Sequence, residues 1–398
     1  GEPLVYGEKF EHQSKVMQSP RRYMVSLPEQ YAAKDYSYPV LYIIDGDFQF
    51  YHVANTVKHL ARMGKLPQMI VVGVANQGPS DYIKSNSWVI KEEGVLKEQS
   101  EYGGVENFSH YLHSELVPLI DKTYRTNQSR AIAGYSFGGL YVMQEYLNYK
   151  SPFNAFLAMS PSLWYDDYSY QTRFKEQLEN KQPLKNNLFI SLANEQGMGV
   201  NELVALLESD SKSKVRWSFK NYPSETHYTT ALPALYDGLQ FLAPEYFIDI
   251  GELMTFKDYN QALEAFYKKK NLWSGFRFSW LQSYTFAKYF FGSKQVDKMD
   301  EALSKIKAMF PESYQEIAIN FALGFNRKKQ YQESLDLLNS LAPLGEKDPK
   351  WHYQMSLALE GLGKLNSAKQ HHKKAIQLAK NQQLESWELW ELEPDRFE

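Results

Sequence analysis

Up to about residue 245 the chain alternates short, unbroken apolar runs with stretches of helical periodicity. Strands are predicted at residues 21–27 (RRYMVSL), 38–44 (YPVLYII), 68–75 (QMIVVGVA), 130–133 (RAIA), 155–159 (AFLAM), 187–193 (NLFISLA) and 215–219 (VRWSF). Turn residues halt several of them: Pro28, Asp45-Gly46, Asn76-Gln77-Gly78-Pro79 and Ser160-Pro161. Helices are predicted between them at 50–63, 105–124, 138–149 and 201–209. Unbroken apolar runs belong to strands buried on both faces, and their alternation with helices argues for a mostly parallel sheet covered on both sides. The first part therefore reads as an α/β domain over residues 1–245.

Beyond it nearly every stretch reads as amphipathic helix, and residues 246–398 form a separate helical domain in this reading. Tyr259-x-x-Ala262, Met299-x-x-Ala302, Tyr331-x-x-Ser334 and Leu365-x-x-Ala368 each open an apolar-periodic segment. Their small residues recur at a spacing near 34, and residues 355–379 resemble a tetratricopeptide repeat. Such a period implies stacked helical hairpins, each burying a face on its neighbour. The alternative is a plain helical bundle. The aromatic residues between Trp273 and Phe291 are denser than a repeat needs. They are expected either to join the two domains as a core or to overhang the active site.

Composition narrows the function. A net charge of −3 and a pI near 6.4 give no support to nucleic-acid binding. The longest apolar runs fall far short of the roughly 20 residues that span a bilayer. The absence of cysteine excludes thiolate nucleophiles, disulfides and cysteine-held metals. It also suits an oxidising compartment. Because the sequence starts at Gly1, a removed signal peptide and a periplasmic or secreted location are expected, with a cytoplasmic location as the alternative. No H-E-x-x-H, Walker or G-x-G-x-x-G signature is present, so no metal and no cofactor are expected.

The candidate chemistry lies at Gly134-Tyr135-Ser136-Phe137-Gly138, a G-x-S-x-G placed between a predicted strand and an apolar helix. That is the context of a nucleophile elbow, and it implies an α/β-hydrolase. The turn is too tight for a Cβ at Gly134 or Gly138, and the Phe137 amide faces a developing oxyanion. Triads of this fold run serine, acid, histidine along the chain. Of the four histidines after Ser136, three lie on the repeat-like helices, leaving His227 in a polar loop after a late strand. Glu195, two residues beyond an apolar run, is the favoured acid, and Glu225 is the less favoured one. A second oxyanion donor is expected from the loop after an early strand, the amide of Asp47, with Gly46 permitting the turn. Asp45, Tyr135 and Trp164 are expected to border the substrate pocket.

These residues carry a resemblance. Residues 38–46, 69–76, 116–126, the elbow at 134–139, Ser160-Pro161-Ser162-Leu163-Trp164 and Glu225-x-His227 resemble the esterase family that includes esterase D, enterobactin-type siderophore esterases and the mycolyltransferases. The resemblance covers roughly residues 14–243. It implies Ser136 as nucleophile, His227 as base, Glu195 as acid, and the amides of Asp47 and Phe137 as oxyanion hole. One departure is that the segment Asn76–Tyr82 carries no arginine, whereas siderophore-cleaving members usually have one there. The expected function is hydrolysis of a small-molecule carboxylic ester through an acyl-enzyme. The alternatives are a siderophore esterase, a thioesterase or acyltransferase of the same fold, and a binding protein that uses the repeats on a hydrolase scaffold. The repeats are expected to offer a surface for a protein partner.

Overall fold

A computed structural model describes residues 1, 4–92, 95–96, 101–180, 183–210 and 214–397. The chain packs as two units. The first holds residues 1–28, 37–60 and 68–244. The second holds residues 29–36, 61–67 and 245–398. The expected division at residue 245 therefore misses two short N-terminal segments that pack with the helices of the second unit. They are too short to alter local composition.

The first unit is built on one eight-stranded sheet: β1 (Glu8–Ser14), β2 (Ser19–Ser26), β3 (Tyr38–Ile44), β4 (Ile70–Val74), β7 (Thr126–Tyr135), β8 (Ala155–Met159), β9 (Leu188–Ala193) and β10 (Trp217–Tyr222). Two-residue strands β5 (Lys91–Glu92) and β6 (Val95–Leu96) pair separately. The sheet order is β1-β2-β4-β3-β7-β8-β9-β10. From β4 to β10 every pairing is parallel, and β2 joins β4 antiparallel. β3, β4, β8 and β9 are buried at every position, as unbroken apolar runs require. The strand β1, polar and half exposed, had no apolar run to announce it. It forms a hairpin with β2 at the sheet edge.

The helices of this unit are α1 (Gly46–Arg62), α2 (Pro79–Ser85), α3 (Val105–Tyr111), α4 (Val117–Thr123), α5 (Phe137–Leu147), α6 (Tyr165–Glu179), α7 (Val200–Ser209) and α8 (Ala231–Leu242). A π-helical turn, Leu112–Leu116, links α3 to α4. α1 leaves β3 toward β4 on one side, while β7 follows on the other, so strand order reverses between β3 and β7. Open α/β sheets bind ligands at the carboxyl ends of their strands at such a switch point.

The second unit contains α9 (Ile250–Leu253), α10 (Tyr259–Lys268), α11 (Trp280–Gly292), α12 (Met299–Met309), α13 (Tyr314–Arg327), α14 (Tyr331–Ser340), α15 (Ala342–Gly345), α16 (Pro349–Gly361), α17 (Leu365–Asn381) and α18 (Ser386–Trp390). The four motif positions Tyr259, Met299, Tyr331 and Leu365 each begin a helix. Their small residues Ala262, Ala302, Ser334 and Ala368 are fully buried, where a larger side chain would hold neighbouring helices apart. Phe276, Phe278, Phe286 and Phe290 pack, mostly edge-on or tilted, with one another and with Phe266, Phe310 and Phe321 inside this unit, with ring centroids 4.5–6.2 Å apart. The aromatic density thus builds the helical unit's own core.

Candidate active site

Ser136 follows the last residue of β7 and precedes α5. Its φ of 59° and ψ of −119° are a strained conformation for a residue with a side chain. Glycine makes the turn possible at Gly134, where a Cβ would lie 2.1 Å from the Gly138 carbonyl oxygen, but the turn does not demand one at Gly138, where a Cβ would come closest to the Ile44 side chain, at 3.2 Å. The Ser136 amide donates to the Met159 carbonyl at 3.1 Å. Its own carbonyl accepts from Leu140 at 3.0 Å and from Ser162 at 3.1 Å. The serine is thereby fixed from β8 and from the loop after it.

His227 lies in the loop between β10 and α8, and its Nε2 is 3.0 Å from Ser136 Oγ. Its Nδ1 makes a short hydrogen bond with Glu195 Oε1. The other Glu195 oxygen accepts the Ala193 amide at 3.2 Å, which holds the carboxylate against the end of β9. The Glu195 side chain is only 10% exposed, so its charge acts on the imidazole with little screening. Sequence order had left Glu225 as the rival acid. Its backbone is used instead: the Glu225 carbonyl accepts the Asn194 amide at 2.9 Å, which ties the histidine loop to the acid loop. Tyr135 adds a second tie, its hydroxyl donating to the His227 carbonyl at 2.5 Å while its ring lies 4.9 Å from the imidazole. Burial, with the Glu195 carboxylate, pushes the Tyr135 hydroxyl up to about 12.

Asp45 and Asp47 follow β3, beside the elbow strand. Gly46 is obligatory there, since a Cβ would lie 2.7 Å from the Gly73 carbonyl carbon in β4. The Asp45 carbonyl accepts the amides of Phe48 and Gln49 at 3.0 and 2.9 Å. The Asp47 amide, in the first turn of α1, has no preceding helical carbonyl to reach. The Phe137 amide is in the same position at the start of α5. The Asp47 carboxylate meets Arg22, 3.1 Å away on exposed surface. Burial and the neighbouring Asp47 push the Asp45 carboxyl up to about 6. Trp164, 43% exposed, sets its ring edge-on to Phe137 at 5.9 Å. Phe48 and Tyr228, next to Asp47 and His227 in sequence, are 76% and 90% exposed.

Two features gave no sequence signal. The loop after β4 is fastened by Arg21, 1% exposed, whose guanidinium grips Asp81 through two bonds of 3.1 and 2.9 Å. The arginine absent from residues 76–82 is thus supplied by β2, and it is spent on structure. The next residue, Tyr82, reaches the elbow backbone. In α6, Asp166, Asp167 and Tyr168 are three successive left-handed residues, held in part by Trp88 donating to Asp166 at 2.7 Å and Tyr168 donating to the Gly197 carbonyl at 2.9 Å. No group of three metal-ligating side chains occurs among the described residues. No helix among them is long and apolar enough to cross a membrane.

The family model described as "Putative esterase" matches residues 14–218, just over half of the chain. Ferri-bacillibactin esterase BesA of Bacillus subtilis is 26% identical over 193 residues, which are 45% of this chain and 62% of that relative. A crystal structure of an IroE-like serine hydrolase from Shewanella oneidensis superposes with a TM-score of 0.62 at 26% identity, covering 74% of this chain and 97% of that one. An uncharacterised protein from Capnocytophaga ochracea has the same fold over 93% of both chains, at 16% identity and a TM-score of 0.53. The eight-stranded, mostly parallel sheet with its helices matches the fold of the serine hydrolase neighbour. The chain belongs to this esterase family and is a hydrolase of the α/β-hydrolase fold.

Proposed function

We propose that the protein cleaves small-molecule carboxylic esters by a serine mechanism with Ser136 as nucleophile, His227 as base and Glu195 as the acid. The observation that carries this reading is the unbroken chain of hydrogen bonds from Ser136 Oγ through His227 to Glu195. Ser136 Oγ attacks the ester carbonyl as its proton passes to His227 Nε2. Glu195 holds the imidazole in the tautomer that leaves Nε2 free to accept, and balances the imidazolium that forms. The amides of Phe137 and Asp47 receive the oxyanion, a contribution of about 3 kcal/mol per donor. The imidazolium returns its proton to the departing alkoxide, leaving an acyl group on Ser136. Water activated by the same His227 then releases the acid. Gly134 serves the turn and Gly138 packs against Ile44; Asp45, Tyr135 and Trp164 border the pocket.

A siderophore ester is a second reading, favoured by the BesA relative and by Arg22. This arginine, half exposed and paired with Asp47, is a cation for which an anionic substrate would compete with that carboxylate. A thioester substrate or transfer to an acceptor other than water would use the same residues. For the second unit we propose partner binding or substrate selectivity, supported by a cavity of about 950 Å³ among α11, α13, α16 and the C-terminal segment. A periplasmic or secreted location suits the cysteine-free chain.

The test is a panel of p-nitrophenyl esters of increasing acyl length, with a catecholate trilactone alongside. Ser136→Ala is expected to keep the fold and lose several orders of magnitude in kcat, leaving only binding and oxyanion effects. Retention of more than about a tenth of the activity would remove Ser136 from the nucleophile role. Cleavage of the trilactone but not the simple esters, lost in Arg22→Ala, would favour the siderophore reading.

A further inference from the structure

We infer that Tyr82 is a positioning residue for the nucleophile, its single hydroxyl bracketing the strained serine from both sides. The inference rests on the serine mechanism proposed above. Tyr82 Oη donates to the carbonyl of Tyr135, the residue before Ser136, at 2.9 Å. It accepts from the amide of Gly138, two residues after Ser136, also at 2.9 Å. One oxygen therefore closes a ring around the residue whose backbone is least favourable. Gly138 is one of the orphan amides at the start of α5, and Tyr82 supplies its partner.

The segment that carries Tyr82 is held by charge. Tyr82 follows Asp81, which accepts two bonds from the buried Arg21 guanidinium and one each from the Gln77 amide, Asn76 and Ser85. A bidentate arginine–carboxylate pair fixes orientation as well as distance. From β2 the path runs Arg21, Asp81, Tyr82, elbow. On the far side the Tyr135 hydroxyl continues it to the His227 carbonyl. Nucleophile and base are thus located from one framework that touches no reacting atom. Burial lifts the Tyr82 hydroxyl well above its ordinary range, against the pull of the Gly138 and Phe137 amides, so it stays protonated and keeps its bond to Tyr135.

Tyr82→Phe keeps the ring and removes the oxygen. The expected result is a fall in kcat of about tenfold or more with KM within about twofold, since small misplacements of reacting groups are costly to rate rather than to binding. Thermal unfolding should stay cooperative, with a modestly lower Tm. Unchanged kcat with a lowered Tm would show a structural hydroxyl only and overturn the inference. Should Tyr82→Phe fold poorly, Asp81→Asn loosens the same tyrosine one step away, and the same split between kcat and KM decides. Parent protein that is inactive on every ester sinks the serine reading itself; active parent with an equally active Tyr82→Phe sinks only the role of Tyr82.

Discussion

Ser136 stands out in the sequence as the candidate nucleophile because its constraint is local: the turn leaves no room for a Cβ at Gly134. His227 was legible by elimination, the other late histidines lying on repeat-like helices. Glu195 required position past a strand end, and the structure places its carboxylate on His227 Nδ1. Glu195→Gln is expected to lower kcat by up to about 10⁴-fold through the wrong tautomer of His227, whereas Glu225→Gln leaves most activity. A reversed ranking in steady-state kinetics would transfer the role. Tyr82 and Arg21 gave no signal, because what they do depends on groups more than 50 residues away in sequence, the elbow backbone for Tyr82 and the Asp81 carboxylate for Arg21. Asp45 allows a separate test. Its folded-state value of about 6 lies above the ordinary 3.8, so the folded chain binds the proton more tightly than the unfolded one. Ionisation therefore costs stability progressively as pH rises from about 4 to about 6, and the cost is complete above that. Asparagine tolerates the left-handed backbone at this position, where φ is 60°. Asp45→Asn should raise Tm relative to the parent near pH 7.5 and change it little near pH 4; an equal shift at both would contradict the assignment.

At the scale of elements, buried parallel strands were readable because burial on both faces leaves an unbroken apolar run. β1 and α6 were not: one is a polar edge strand, and the other begins with three left-handed residues that no periodicity encodes. α5 carries a further burden that the elbow motif does not show. Glu145 on its inner face is fully buried and accepts from Ser109 on α3 at 2.7 Å and from Tyr141 at 3.1 Å. It also meets His113 of the π-helical turn at 2.9 Å. Burial raises its pKa, but the His113 and Ser109 bonds outweigh that and leave it lowered. The stabilisation is thus present above the ordinary carboxylate range and is lost as pH falls through the lowered value. Glu145→Ala leaves these donors unpaired in the core and should cost about 3–5 kcal/mol in urea unfolding at neutral pH. A loss below about 1 kcal/mol would mean that the network contributes little.

For the whole molecule, the compositional break near residue 245 marks where the first unit ends, while packing takes residues 29–36 and 61–67 into the helical unit. Inside that unit Trp280 Nε1 donates to the Arg62 carbonyl at 2.9 Å, the Arg277 guanidinium lies 3.9 Å from the Tyr36 ring centroid, and Lys34 pairs with Asp348 at 3.5 Å. A chain cut after Pro244 strips these segments of their partners. It is expected to aggregate or to melt well below the full chain. A soluble fragment with the parent's Tm would contradict this. Contacts of such sequence separation are invisible to a reading that proceeds by local period, which explains why the helices were legible and their recruitment of two N-terminal segments was not.

In the proposed mechanism Ser136 is the residue that becomes acylated. The direct measurement is mass spectrometry of the full chain after brief exposure to a fluorophosphonate, followed by peptide mapping. One adduct is expected, on the peptide bearing Ser136, absent in Ser136→Ala and greatly slowed in His227→Ala. An adduct on another residue, or an active enzyme that takes up no label, would contradict it.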